Sequence, residues 1–272
     1  MTEYLVSVCL ITYNHEKFIA DAIESVLMQE TNFKFQLVIA DDCSTDGNKQ
    51  ILLNFKDKYP DRIHLILQET NVGPAKNWID LLSFPRSKYL AYFEGDDYWT
   101  DPKKLQKQVD FLESNNDFGL VYTKSSVEIN GKISSKEIGN IESFYNLFEF
   151  NFIPTLTVVF RRLYFESFTS KFQKEILKWK IGDYPLWLWI YTNSKLKFLD
   201  DTTTVHRVVI GSESNKGNRL IINLESFKIG NFFLNKYNIK ESLKSYLVRR
   251  VYLLLVCIKN EPKALLKILN NF

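Results

Sequence analysis

The sequence predicts an α/β protein: a mostly parallel sheet flanked by helices, followed by a C-terminal helical tail. Three observations carry this. Four short apolar runs, at residues 4–12, 35–40, 63–67 and 89–93, are each followed by a polar turn and then by apolar residues at helical spacing. Strands separated by helices require crossovers, so neighbouring strands run parallel. Finally, the polar residues of chemical interest fall where the runs end, the edge at which such sheets bind ligands.

The first run ends in Thr12-Tyr13-Asn14, and Phe18, Ile19, Ala22, Ile23, Val26 and Leu27 then share a helix face. Phe35 to Ala40 stops at Asp41-Asp42-Cys43-Ser44-Thr45-Asp46-Gly47, ahead of a helix through Ile51, Leu52 and Phe55. After Ile63 to Leu67, Asn71-Val72-Gly73-Pro74 opens a helix through Trp78 and Leu82. The fourth run breaks into Glu94-Gly95-Asp96-Asp97, and Asp101-Pro102 suits the start of a helix through Leu105, Val109 and Leu112. Regular alternation ends there. Gly119 to Thr123 reads as a short strand, Asn130-Gly131 as a hairpin turn within 127–133, and Ile153 to Arg162 as a further strand. Gly182-Asp183-Tyr184-Pro185 opens an aromatic helix, and 196–199 and 203–210 read as two strands. The expected division is a body of residues 1–215, with halves 1–117 and 118–215, and a tail of residues 216–272.

With 45% hydrophobic and 15% aromatic residues in 272, the chain has material for a large core and is not disordered. Cys9, Cys43 and Cys257 are odd in number and lack metal-ligand spacing, which suits reduced thiols in the cytoplasm better than a disulfide framework. No basic leader precedes the first strand, and the longest wholly apolar run, Val251 to Ile258, is eight residues, too short to span a bilayer. Charge is uneven. Residues 216–272 hold eleven Lys and Arg against three Glu, a net +8 that leaves the body at −5 within the total of +3. Leu243, Leu247, Val251, Leu254 and Ile258 form one stripe beside Lys244, Arg249, Arg250 and Lys259. Such a helix either lies peripherally on the anionic inner face of a membrane or packs on the body or on a second copy of the chain. No nucleic-acid partner is expected.

Glu94 and Asp96, alternate residues at a strand end, can converge on one object, and Gly95 lets the backbone turn between them. Carboxylates held so close call for a cation, and hard oxygen ligands suit Mg2+ or Mn2+; the plainer reading is a solvated acidic turn. Asp183 admits two readings as well, an N-terminal helix cap or a catalytic acid-base group.

In their order along roughly the first 215 residues, these motifs resemble the family 2 glycosyltransferases, inverting nucleotide-sugar enzymes of the A-type, Rossmann-like fold. Thr12-Tyr13-Asn14 is similar to the family's first-strand motif, whose aromatic lies against the nucleobase. Asp41-Asp42-Cys43-Ser44-Thr45-Asp46 resembles the loop that reads uracil and ribose. Asn71-Val72-Gly73-Pro74-Ala75-Lys76-Asn77 resembles a nucleotide-contacting turn, with Lys76 where Arg is usual. Glu94-Gly95-Asp96 stands at the Asp-x-Asp metal motif, with Asp96 the safer ligand. Asp183 falls at the catalytic base, and His206-Arg207 at a Tyr-Arg segment that closes over the diphosphate. Val209 lies where some members place a metal-binding His.

The resemblance implies transfer of a sugar from a nucleoside diphosphate-sugar, UDP-linked by expectation, to a saccharide or lipid-linked saccharide in glycan assembly. It implies Asp183 as general base, a divalent ion on Asp96 and Glu94, and Arg207 and Lys76 near the phosphates. The departures at Lys76, Glu94 and Val209 keep open a catalytically impaired nucleotide-sugar-binding protein. A metal-dependent nucleotidyltransferase is the remaining alternative, although no Gly-rich phosphate loop follows the first strand.

Overall fold

A computed structural model of the protein describes residues 4–139, 144–179, 182–208 and 219–239. The first half alternates as expected: β1 (Val6–Thr12), α1 (Ile19–Leu27), β2 (Phe35–Asp41), α2 (Asn48–Lys58), β3 (Ile63–Leu67), α3 (Pro74–Ser83) and β4 (Tyr89–Glu94). β1 lies between β2 and β4, parallel to both, and β3 runs parallel to β2 on its far side. β1 and β2 are buried along almost their whole length because helices cover both faces, which is why they read as continuous apolar runs.

The pleat sends successive side chains to two cores. Cys9, Val38, Ala40, Leu90 and Tyr92 join Trp78 of α3 on one face, while Val8, Leu10, Leu37, Ile39 and Phe93 join Ile23 of α1 and Leu52 of α2 on the other.

The second half contains β5 (Tyr98–Trp99), α4 (Lys104–Ser114), β6 (Phe118–Ile129), β7 (Lys132–Ile138), β8 (Val159–Arg161), α5 (Arg162–Lys171), α6 (Asp183–Asn193), β9 (Lys195–Val208) and α7 (Arg219–Lys236). Two 3-10 turns, Phe144–Phe148 and Thr155–Thr157, lie between β7 and β8. Among the described residues the strands form one nine-stranded sheet in the order β3-β2-β1-β4-β8-β6-β9-β5, with β7 paired to β6.

Three sequence expectations are corrected here. The short strand at 119–123 and the first arm of the hairpin are one twelve-residue strand, β6, because β9 pairs with it across register shifts. The two strands expected at 196–199 and 203–210 are likewise one, β9. The strand expected from Ile153 shrinks to β8, since Thr157 bonds back to the Pro154 carbonyl through both its backbone N–H at 3.0 Å and its hydroxyl at 2.7 Å, winding the chain into a turn. The hairpin turn itself is as expected, with Asn130 and Gly131 at φ 51° and 76°.

In the described part of residues 216–272, α7 buries Ile229, Phe233 and Leu234 against the body. It comes so close that a Cβ on Gly230 would stand 2.2 Å from the Phe148 carbonyl oxygen. The stripe from Leu243 to Ile258, together with Val209 and Cys257, lies outside the described residues. No helix of the described residues is long and apolar enough to cross a membrane. Cys9 and Cys43 are free thiols, and burial pushes Cys9 far up.

Candidate active site

Parallel register sets the strand ends side by side: Thr12 opposite Asp41, and Ile11 opposite Glu94. The loops leaving them are tied together by side chains. Asp41, 1% exposed, accepts hydrogen bonds from the Ser44 backbone N–H at 3.0 Å, the Ser44 hydroxyl at 2.5 Å and Asn48 Nδ2 at 2.7 Å. Thr12 Oγ1 donates to Asn48 Oδ1 at 3.3 Å. Asn14, left-handed at φ 56°, receives the Thr45 N–H on its side-chain oxygen at 2.8 Å, and its own N–H donates to Ser44 Oγ at 2.9 Å. Asp42 Oδ1 accepts the Val72 N–H at 2.7 Å, fastening this loop to the one after β3, and burial raises its carboxyl against that bond. Thr12, Asp41 and Asp42 are sealed beneath this knot, while the Tyr13 ring is 40% exposed on its rim.

Asn71 is exposed in the loop after β3. Lys76, in the first turn of α3, pairs with Asp80 one turn on and lines the groove between α3 and α5, a cavity of about 530 Å³.

Around β4 the acids gather. The Gly95 N–H bonds to the Ile11 carbonyl at 2.9 Å, and a Cβ there would stand 3.0 Å from each of Thr12 Oγ1, His15 Nδ1 and Ile19 Cδ1, so close approach decides for glycine. Asp96 is 7% exposed; its Oδ1 is buried without a partner, and its Oδ2 stands 4.0 Å from His15 Nε2. Burial, then the charges of Asp96, Asp97 and Asp183, pushes Glu94 up to about 8, and burial with Asp97 raises Asp96 as well.

That combination fits a divalent cation. One orphaned carboxylate oxygen and a second acid two residues away suit Mg2+ or Mn2+ held by one or two protein carboxylates, with phosphate oxygens and water completing the shell. Among the described residues no group of three or more His, Cys, Asp or Glu side chains is arranged to hold an ion.

Asp97 and His15 were missed by the motif reading, although both adjoin residues it named. Asp97, 4% exposed, accepts the Arg207 backbone N–H at 2.9 Å and lies 3.1 Å from His206 Nδ1, clamping β9 to the acidic turn. Burial works against a charged His206, but the Asp97 bond and the charges of Asp97, Glu94 and Asp96 outweigh it and raise the imidazole to about 9. The Arg207 guanidinium is held from behind: Nη2 donates to Asp21 at 2.6 Å, Nη1 to the Asp96 carbonyl at 3.4 Å, and the group stacks 4.2 Å from the Tyr98 ring centre.

Asp183, half-buried at the start of α6, completes the cluster. Oδ1 accepts the Tyr184 N–H at 2.7 Å, so capping geometry is present; Oδ2 accepts the Thr155 hydroxyl. Burial raises its carboxyl and these bonds oppose the shift. Glu94 feels the charges of Asp96, Asp97, Asp183 and His206 together, which groups these five residues, while the groove that Lys76 lines holds none of them. The nearby tryptophans are core: Trp187 and Trp189 are buried, and Trp179 packs on Phe168 and Phe172.

The profile of glycosyl transferase family 2 matches residues 7–197. The chain belongs to this family. Relatives include an Escherichia coli protein named UDP-Glc:alpha-D-GlcNAc-diphosphoundecaprenol beta-1,3-glucosyltransferase WfgD, 31% identical over 202 residues covering 74% of this chain and 75% of that protein. An uncharacterized Mycobacterium bovis protein, Mb1547, is 37% identical over 161 residues, 57% of this chain and 46% of its own, so the chain spans about half the length of that relative. Among solved structures, Staphylococcus aureus TarS in complex with UDP-GlcNAc superposes with a TM-score of 0.62 at 18% identity, over 94% of this chain and 81% of that one. The Pyrobaculum calidifontis mannosyltransferase PcManGT, in complex with GDP-Man and Mn2+, gives 0.59 at 15%, over 96% and 88%. These likenesses establish the A-type glycosyltransferase fold.

Within the family 2 pattern, two departures have a definite place in the structure. His206, where the family has Tyr, is built into the Asp97 clamp. Glu94, where it has Asp, is the last residue of β4, one position before the turn that carries Asp96 begins.

Proposed function

We propose that this chain is an inverting glycosyltransferase that moves a sugar from a UDP-linked donor to an acceptor hydroxyl in glycan assembly. One observation carries the reading: the charges of Asp96, in the turn after β4, and of the half-buried Asp183, at the start of α6, both reach Glu94 at the end of β4, whose neighbour β1 leads into the exposed Tyr13. A donor lying across these strand ends would place its base on the Tyr13 side and its diphosphate over Asp96.

Asp183 takes the proton of the acceptor hydroxyl as it attacks the anomeric carbon on the face opposite the diphosphate. Burial holds that carboxyl above its ordinary range, which brings its basicity closer to that of the medium while the Thr155 bond keeps it ionisable. A single displacement inverts the anomeric centre, and Asp183 needs no covalent role. Asp96, with Glu94, would hold Mg2+ or Mn2+, which when bound offsets the charge growing on the departing diphosphate. The His206 imidazolium and Arg207 supply fixed positive charge beside it.

The name of the Escherichia coli relative, which specifies a diphosphoundecaprenol-linked acceptor, supports a lipid-linked saccharide acceptor here; a peripheral position on the inner membrane face is proposed with it. Incubation with nucleotide-sugars and Mg2+ or Mn2+ tests the reading. Release of nucleoside diphosphate with an inverted glycoside supports it. Release of sugar 1-phosphate, the leaving group when the α-phosphorus is attacked, would assign a nucleotidyltransferase instead, and binding without any release would leave a nucleotide-sugar-binding protein.

A further inference from the structure

The Asp183 carboxylate is gripped from two sides. Oδ1 accepts the 2.7 Å bond from Tyr184 N–H inside its own helix, and the Trp187 indole one turn on also favours the ionised carboxylate. Oδ2 accepts the Thr155 hydroxyl and faces Asn151 Nδ2 at 3.5 Å. With both donors from outside the helix on Oδ2, the unused lone pair belongs to Oδ1.

Thr155 has little freedom to move. It opens the 3-10 turn Thr155–Thr157, which is closed by the two bonds of Thr157 to the Pro154 carbonyl. The turn is also pinned from outside: the Leu156 carbonyl accepts the Trp99 indole N–H at 3.0 Å, and the Thr157 carbonyl accepts Gln108 Nε2 at 2.8 Å. Trp99 lies two residues beyond Asp97, so the segment that carries the acidic cluster also anchors the turn that grips Asp183.

We propose that Thr155 is a positioning residue for sugar transfer, holding the Asp183 carboxylate in one orientation with the free lone pair of Oδ1 presented to the acceptor hydroxyl, and that Asn151 is its second support. This rests on Asp183 being the base. A hydroxyl that merely satisfied a buried carboxylate would affect stability alone; a positioning hydroxyl also affects turnover and its pH dependence. The sign follows from the geometry. The Thr155 bond favours the ionised carboxylate, so its loss leaves burial less opposed and the carboxyl titrates at higher pH. The Asp183 charge reaches Glu94 and Tyr92 of β4, and neither changes in the variants below.

The test compares Thr155→Val, Thr155→Ser, Asn151→Ala and Asp183→Asn in steady-state transfer from pH 5.5 to 9, with thermal midpoints measured alongside. Thr155→Val is expected to lower kcat about 10-fold or more at neutral pH, to leave the donor KM within about 2-fold, and to move the acidic limb of the profile to higher pH. Thr155→Ser, which keeps the hydroxyl, should restore both kcat and the limb. Asn151→Ala should move the limb the same way by less, and it carries the test should Thr155→Val fail to fold. If kcat and the acidic limb stay at wild-type values in the valine variant, or move equally in valine and serine, Thr155 has no positioning role. Retention of transfer by Asp183→Asn would instead overturn the assignment of the base.

Discussion

Asp41 separates two roles that its place in the sequence cannot. The family resemblance makes it a reader of uracil and ribose, whereas its carboxylate, 1% exposed, accepts three hydrogen bonds from Ser44 and Asn48. Asp41→Ala removes all three. The Ser44 donors, on a half-buried loop residue, can recruit water and recover most of their loss, about 0.5–1 kcal/mol remaining for each. Asn48 is fully buried and cannot, so its amide is left with a desolvation penalty of about 1–3 kcal/mol. The total is about 3 kcal/mol. At an unfolding entropy of about 2.1 cal/mol/K per residue, a chain of this length loses roughly 5 °C in its midpoint. Calorimetry of the ligand-free variant, paired with UDP titration, gives the answer. A midpoint within 1 °C of wild type combined with a loss of UDP affinity of about 10-fold would refute the reasoning, because Asp41 would then be spending its carboxylate on ligand rather than on the loop.

Further outcomes are expected at the other acids and in the tail. Asp96→Asn should abolish turnover and the metal dependence of UDP binding; an unchanged metal dependence in calorimetry removes Asp96 from the metal site. Asp183→Asn should lower transfer by about 10²- to 10⁴-fold with donor KM nearly unchanged, checked by steady-state kinetics. His206, raised from 6.5 to about 9, binds its proton more tightly folded than unfolded, so its stabilisation is complete below about 6.5 and is lost as pH rises through about 9. The midpoint difference between wild type and His206→Gln should therefore shrink from pH 6 to pH 9.5; taking the difference cancels most of the opposing trend from buried Lys104, which burial lowers to about 7. If residues beyond 239 meet the membrane, the full chain floats with anionic liposomes at low salt and not at high salt, and truncation after Asn238 abolishes this; a full chain that stays unbound at low salt ends the membrane proposal.

The sequence by itself determined the alternation of strands and helices in the first half, because burial on both sheet faces writes continuous apolar runs and helices write a 3.6-residue period. It also located the edge at which Tyr13, Asp41, Glu94 and Asp96 gather, since parallel topology sends every such loop to the same end. Only the tertiary structure decided what those residues touch. Asp97 meets His206 across 109 positions and Thr155 meets Asp183 across 28, and no local pattern records such pairings. For the same reason the strand expected from Ile153 failed: its β-branched and apolar residues suit a strand, but the Pro154 carbonyl and the Trp99 indole select a turn. Local spacing shows which face a side chain occupies; whether an aspartate there faces ligand, a loop amide or a histidine from a distant strand depends on packing that closes only when the chain is folded.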